Sequence, residues 1–221
     1  MRVGVILCGS GRFDGSEIHE SVLTLLHLAR GGAVARCFAP DAAQWAVCDH
    51  FSGQPRPGES RNMLQESARV ARGAVQPLAQ ARAEDLDALI IPGGNGAAHN
   101  LGGFAAAGAR GRVLPDLERL ILAMVAAGKP VGAICIAPAL MALVLGPRAP
   151  RLTLGSATDL AAVEAGRTGA LLLECAVDEV VVDEEMNLVS TPAYMLAKSV
   201  AEADAGIGKL VAEVLRRARK R

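Results

Sequence analysis

The chain has no net charge to offer a polyanion: 23 Lys and Arg balance 23 Asp and Glu. A general nucleic-acid binder normally carries a basic field, so that class is disfavoured. Aromatic residues are scarce, at 3%, which removes the base-stacking platforms of single-strand binders. The five cysteines (Cys8, Cys37, Cys48, Cys135 and Cys175) are odd in number and contain no CxxC pair. That usage fits free thiols in a reducing cytosol rather than a disulfide framework. No HxxxH, HExxH or Cys/His cluster argues for a metal, and none is expected. The uncharged run Val131–Pro147 is shorter than the ~20 residues a bilayer crossing needs, and Gly132 and Pro138 interrupt it. The N-terminal apolar run reaches Gly9 and Gly11 too soon for a signal peptide. The expectation is a soluble, cytoplasmic protein with neither nucleic-acid nor membrane partners.

What is present is apolar and glycine-rich: 51% hydrophobic residues and 24 glycines in 221 residues. A chain of this size buries a core unaided, and residues 1–221 read as one domain. Short β-branched runs alternate with helical patterns. Val3–Leu7, Ala33–Ala39, Asp87–Ile91, Val131–Ile134, Arg151–Leu154, Val177–Asp183 and Leu188–Ser190 read as strands, the last two as a hairpin around Glu184–Asn187. Asp14 reads as the N-cap of a first helix, with Glu17 completing a capping box. That helix carries Ile18, Val22, Leu25, Leu26 and Ala29 at helical spacing and stops at Gly31-Gly32. Arg61–Arg72, Leu114–Ala127 and Pro138–Leu145 read as further helices. A final helical region opens at Thr191-Pro192. Strand–helix alternation predicts an α/β three-layer sandwich around a mostly parallel sheet, with a small β-hairpin.

In such sheets ligands bind beyond the carboxyl ends of the strands. Cys135 stands there, between a strand and a helix, where a nucleophile at a sharp turn is presented above the sheet. The helix N-terminus behind it favours a thiolate and a lowered thiol pKa; the alternative is a small buried hydrophobe. Gly93-Gly94-Asn95-Gly96 follows the third strand. Its N–H groups, with that of Ile136, are candidates to stabilise an oxyanion formed at Cys135. Glu17 and Glu20 share a helix face; Glu20, one turn in, is the freer to move protons at a site, while solvated helix-start acids are the alternative. His19 lies off that face and reads as a site residue, a dimer contact or neither. His99, past the glycine loop, is a candidate base. The basic tail Arg216–Arg221 reads as a complement to a helix C-terminus.

Ile6–Gly11, Asp14–Glu20, Glu59–Asn62, Pro92–Ala98, Cys135–Pro138 and Thr191–Met195 together resemble the ElbB-type glyoxalase family, also described as isoprenoid biosynthesis proteins with an amidotransferase-like domain. That family sits within the superfamily of PfpI-type proteases, deglycases and class I glutamine amidotransferases. The resemblance implies a flavodoxin-like sandwich, usually a homodimer, with Cys135 at the nucleophile elbow and Glu20 as its companion carboxyl, Glu17 being second choice. The chain departs from the wider superfamily in its chemistry. Ile136 stands where the proteases have His, and no His follows Cys135. Ala137 and Ser190–Ala193 replace the Gly and His-x-Glu that glutamine hydrolysis needs. The implied activity is a cofactor-free glyoxalase. Cys135 would attack glyoxal or methylglyoxal to form a hemithioacetal that ends as glycolate or lactate, slowly for want of a histidine base. The alternative of a different class is a redox sensor or binding module using the same pocket without turnover.

Overall fold

Period-two alternation in the apolar strands decides the layers. The structure, a computed structural model, describes residues 1–219, so Lys220 and Arg221 of the basic tail lie outside the described residues. Seven strands build the central sheet: β1 (Arg2–Ile6), β2 (Val34–Ala39), β3 (Val75–Pro77), β4 (Ala88–Ile91), β5 (Val131–Ile134), β6 (Val181–Asp183) and β7 (Leu188–Thr191). Their order is β6-β7-β5-β4-β1-β2-β3, and every neighbouring pair is parallel except the β6–β7 hairpin. Six principal helices flank it: α1 (Ile18–Arg30), α2 (Met63–Val70), α3 (Pro115–Ala126), α4 (Pro138–Leu145), α5 (Leu160–Gly166) and α6 (Val200–Arg219). Ile6, Leu89, Ile91 and Val131 pack under α3, α4 and α5 through Leu117, Leu120, Ile121, Leu140 and Ala162. Val3, Val5, Leu7, Ile90 and Val189 pack on the opposite face under α1 and α6 through Leu23, Leu28, Ile207, Leu210 and Val214. This is the expected α/β sandwich with a mostly parallel sheet. Two short ribbons, Cys48–Asp49 with Gln54–Pro55 and Arg151–Leu152 with Leu171–Leu172, stand outside the sheet. Among the described residues no helix is long and apolar enough to cross a membrane.

Three local expectations are corrected. The N-cap of α1 is Glu17, whose carboxylate accepts the Glu20 N–H at 2.8 Å. Asp14 is buried instead, accepting the Cys48 N–H at 2.8 Å. The inward face of α1 is not the apolar stripe: Ile18, Val22 and Leu26 are exposed, while Glu20, Ser21, Leu23, Thr24 and Leu28 are buried. Ser21 and Thr24 tolerate this because their hydroxyls donate to the carbonyls of Glu17 and Glu20, each at 2.7 Å. The last helix begins at Val200 rather than at Thr191. Thr191 remains in β7, its carbonyl accepting the Cys135 N–H at 3.0 Å, and a 3-10 turn over Ala193–Met195 separates it from α6.

Two capping details carry predictions or explain charge. Asn62 caps α2 by accepting the Gln65 N–H at 3.1 Å, and its amide donates to Asp41 at 2.8 Å. Asn62→Ala is expected to cost about 1 kcal/mol or more, read as a lowered urea midpoint. Asn62→Asp keeps the cap but sets a carboxylate against Asp41, so it recovers only part of the loss. In the last turn of α6, Arg216 pairs with Glu213, and Arg217, mostly buried, reaches both Glu213 and Glu184. The Arg217–Glu184 pair, with Arg217 Nη1 donating to Asn187 Oδ1 at 3.0 Å, ties the last turn of α6 to the β6–β7 hairpin.

Candidate active site

The sheet order places β1 between β2 and β4. The chain leaves β1 in one direction and returns on its other side, so the turns after β1 and β4 part to leave a crevice. The turns after β5 and β7 lie next along the same edge. Side chains from all four meet α1 there.

The turn after β1 is held by Ser16. Its Oγ accepts the Cys8 N–H and its carbonyl accepts the Gly11 N–H, both at 2.9 Å. Asn100 donates to the carbonyls of Cys8 and Asp14 at 3.0 and 2.9 Å, tying this turn to the segment after the glycine loop. The glycine loop then closes onto the helix start: Glu17 N–H donates to the Gly93 carbonyl at 3.0 Å. A Cβ at Gly94 (φ +99°) would lie 2.5 Å from Glu17 N, so glycine is required by space as well as by backbone conformation.

Cys135 sits at the strand-to-helix turn between β5 and α4 with φ +61°, a left-handed conformation that costs a non-glycine residue ~1–3 kcal/mol and clusters at functional sites. It is 7% exposed and lines a cavity of 570 Å³ with Arg12, Phe13, Glu17, His19, Gly94, Asn95 and Tyr194. Glu20 is fully buried beside it: Cys135 Cβ and Glu20 Oε2 lie 2.7 and 3.0 Å from the position that a Cβ on Gly93 would take. The Glu20 carboxylate accepts the Gly93 N–H at 2.9 Å and, less closely, the Tyr194 N–H at 3.4 Å.

These contacts set the protonation of the pair. Burial, and then the charge of Glu17, push the Glu20 carboxyl up to about 7. The Cys135 thiol is raised as well, by burial and by the charge of Glu20, against the N–H groups of Gly94 and Ile136 that favour its thiolate. The expectation of a lowered thiol pKa is therefore corrected: the helix start and its N–H groups are present, but burial and an adjacent carboxylate outweigh them. Cys8 is further inside, and burial pushes its thiol up to about 12.

Glu20 has a consequence for stability. The folded protein holds the Glu20 proton more tightly than the unfolded chain does. Its contribution is therefore present at low pH and lost as pH rises from about 4.5 to about 7. Glu20→Gln removes that slope, so the variant should gain on wild type by about 3 kcal/mol across this window. Urea unfolding at a series of pH values reads it; parallel curves for the two proteins would contradict a raised carboxyl.

The structure brings together Cys135, Glu20, Glu17, Gly93, Gly94, Asn95, Ile136 and His19, but not all in the expected positions. The Gly93 N–H faces Glu20 rather than an oxyanion, and the N–H groups that favour the Cys135 thiolate are those of Gly94 and Ile136. His99 is elsewhere: it stacks on Trp45 with ring centroids 3.8 Å apart, and burial lowers its pKa. Tyr194, Arg12 and Phe13 are lining residues that sequence reasoning passed over. Tyr194 lies just beyond β7, so the rule that selected Cys135 also selects it. Among the described residues no group of three or more His, Cys, Asp or Glu side chains is placed to hold a metal ion.

A mostly parallel α/β sheet with a cysteine at a strand-to-helix turn and a buried glutamate beside it at the carboxyl edge of the sheet is a candidate cysteine site on a flavodoxin-like, amidotransferase-like fold. The crystal structure of an isoprenoid biosynthesis protein with amidotransferase-like domain from Ehrlichia chaffeensis superposes with a TM-score of 0.90 at 34% identity, covering 98% of this chain and 99% of that one. Drosophila melanogaster DJ-1beta shares the fold alone, at TM-score 0.57 and 18% identity over 99% of this chain and 96% of that one. The human glutamine amidotransferase-like class 1 domain-containing protein 3, mitochondrial, is 45% identical over 97% of this chain and 82% of its own length. The mitochondrial ES1 protein homolog of Rattus norvegicus is 42% identical over 97% and 83%. The chain belongs to this family of ES1-type, class I glutamine amidotransferase-like proteins. No protein-family model matches the chain.

These relatives overturn the cytoplasmic expectation. The human and rat proteins, and the ES1 protein of Danio rerio, are all mitochondrial. The physical reason is simple: free thiols report a reducing environment, not which compartment supplies it.

Proposed function

We propose that the protein is a cysteine-dependent, glutathione-independent glyoxalase acting on small α-oxoaldehydes. The observation that carries this reading is the Cys135–Glu20 pair: a nucleophile in the wall of a cavity and, buried beside it, a carboxyl of pKa about 7. Near neutral pH Glu20 is poised both to take and to give a proton, as a general acid–base group should be. The thiol proton passes to Glu20, which removes the carboxylate charge that had held the thiol pKa up. The thiolate then has the N–H groups of Gly94 and Ile136 about it.

In the proposed reaction the thiolate adds to the aldehyde carbon of glyoxal. The S–C bond forms, the carbonyl π pair moves to oxygen, and the proton on Glu20 neutralises that oxygen to give a hemithioacetal. Glu20, now a carboxylate, removes the hydrogen on the same carbon. The pair left behind forms an enediol with the neighbouring carbonyl, and reprotonation of the second carbon gives a thioester. Water cleaves it to glycolate and restores the thiol; methylglyoxal gives lactate by the same route.

The alternative of a peroxide-sensing thiol needs an accessible, low-pKa cysteine. Cys135 is mostly buried and its thiol is raised, which weighs against a standing thiolate; turnover is served by the adjacent Glu20 carboxyl, which can take the thiol proton when substrate is bound. The test is glycolate formation from glyoxal without glutathione and with a chelator present. Slow product formation that stops when Cys135 is alkylated beforehand is the expected result. Absence of product at high enzyme concentration would rule the reading out.

A further inference from the structure

The proposed reaction closes with hydrolysis of an acyl-cysteine, and Glu20 is badly placed to bring the water. It is fully buried, does not line the cavity, and its oxygens accept the Gly93 and Tyr194 N–H groups. No histidine follows Cys135 in the chain. Of the four that precede it, His27 is bound to Asp204 at 2.7 Å, His50 lies against Asp14, and His99 is stacked on Trp45. His19 alone lines the cavity of Cys135, and it does so from the solvent side, its side chain exposed.

His19 is also oriented. Its Nδ1 lies 2.7 Å from the Tyr194 hydroxyl, on a second residue of the same cavity wall. Tyr194 is fixed in turn by the 3-10 turn after β7 and by its backbone contact with Glu20. In the tautomer with the proton on Nδ1, that bond runs from Nδ1–H to the phenol oxygen and leaves Nε2 its lone pair, with no hydrogen bond to another described residue. A base oriented by a third group is the arrangement nucleophilic catalysis requires.

Resting on the glyoxalase reading, we propose that His19, positioned by Tyr194, is the base that activates water for hydrolysis of acyl-Cys135. His19 Nε2 takes a proton from water as the water oxygen bonds to the acyl carbon and the carbonyl π pair moves to oxygen. The tetrahedral centre collapses, the C–S bond breaks with its electron pair on sulfur, and the imidazolium returns the proton to the thiolate. The labour is thus divided: Glu20 moves protons from beneath the substrate, and His19 brings water from above it.

The test uses p-nitrophenyl acetate, which acylates a reactive cysteine without any aldehyde chemistry, with Cys135→Ala subtracted as background. Wild type should show a burst of p-nitrophenolate followed by steady release. His19→Gln should keep the burst and lose the steady rate by about 100-fold or more, with acetyl-Cys135 accumulating in the mass spectrum. Tyr194→Phe should show the same pattern to a smaller degree. A steady rate in His19→Gln equal to that of wild type, or loss of burst and steady rate together, overturns the assignment. If wild type acylates no faster than Cys135→Ala, the nucleophile itself is refuted and His19 falls with it; an intact burst indifferent to His19 refutes only the water-activating role.

Discussion

Cys135→Ala should abolish glycolate formation while leaving the protein folded, and Glu20→Gln should lower kcat by roughly 100- to 10,000-fold. The two losses have different origins. In the proposed reaction, alanine removes the sulfur that bonds to substrate. The backbone at this turn is left-handed with φ +61°, but alanine meets the same restriction as cysteine there, so no new strain enters. Glutamine in place of Glu20 keeps the shape and can still accept the Gly93 N–H through its carbonyl, yet it can neither take the thiol proton nor remove one from carbon. Residual activity in Glu20→Gln should rise with pH as the thiol ionises unaided, whereas in wild type the carboxyl does that work near neutrality. Unchanged urea midpoints for Cys135→Ala, with product at background, separate chemistry from folding.

Gly96→Ala should be the most damaging single-methyl change near the site. A Cβ there would lie 2.2 Å from Gly15 N and 2.4 Å from its Cα and carbonyl oxygen. The obstacle is backbone, so no side chain can rotate away; the glycine loop and the turn after β1 must part. That separation also pulls on the Asn95 N–H bond to the Arg12 carbonyl, 2.7 Å, and on the Glu17–Gly93 bond that seats the helix start. Overpacking of this kind costs about 1–3 kcal/mol, and the upper end is expected here. Activity should fall further than the unfolded fraction accounts for, because Gly94 and Glu17 move with the loop. A urea titration with a parallel glycolate assay reads both effects.

The layered fold is legible because both of its signals are local. Alternation within Val3–Leu7 and Asp87–Ile91 shows which residues face which layer, and the strand–helix rhythm implies parallel pairing. The elbow is legible for the same reason: Cys135 lies between an apolar strand and Pro138. What is not legible depends on distant partners. Asp14 has the composition of an N-cap, but the Cys48 N–H claims its carboxylate, and Glu17 moves into the capping position. The exposed stripe Ile18–Val22–Leu26 reads as a core face until Ser21 and Thr24 are seen to satisfy their hydroxyls within the helix. The raised thiol follows from the burial of Cys135 itself and then from the Glu20 charge beside it, neither of which any spacing reveals. The short strand Val75–Pro77 and the helix Leu160–Gly166 carry too few periodic residues to announce themselves. Tyr194 shows the opposite case, a residue whose place after a strand is visible and whose bond to His19 is not.

The central claim is that Cys135 carries the substrate covalently. It is tested most directly by quenching the wild-type protein during turnover of glyoxal and locating the adduct by peptide mass spectrometry. The account predicts an added mass of one glyoxal unit on Cys135, absent from Cys8, Cys37, Cys48 and Cys175, and lost as substrate is exhausted. Continued glycolate production with Cys135 unmodified throughout would contradict it.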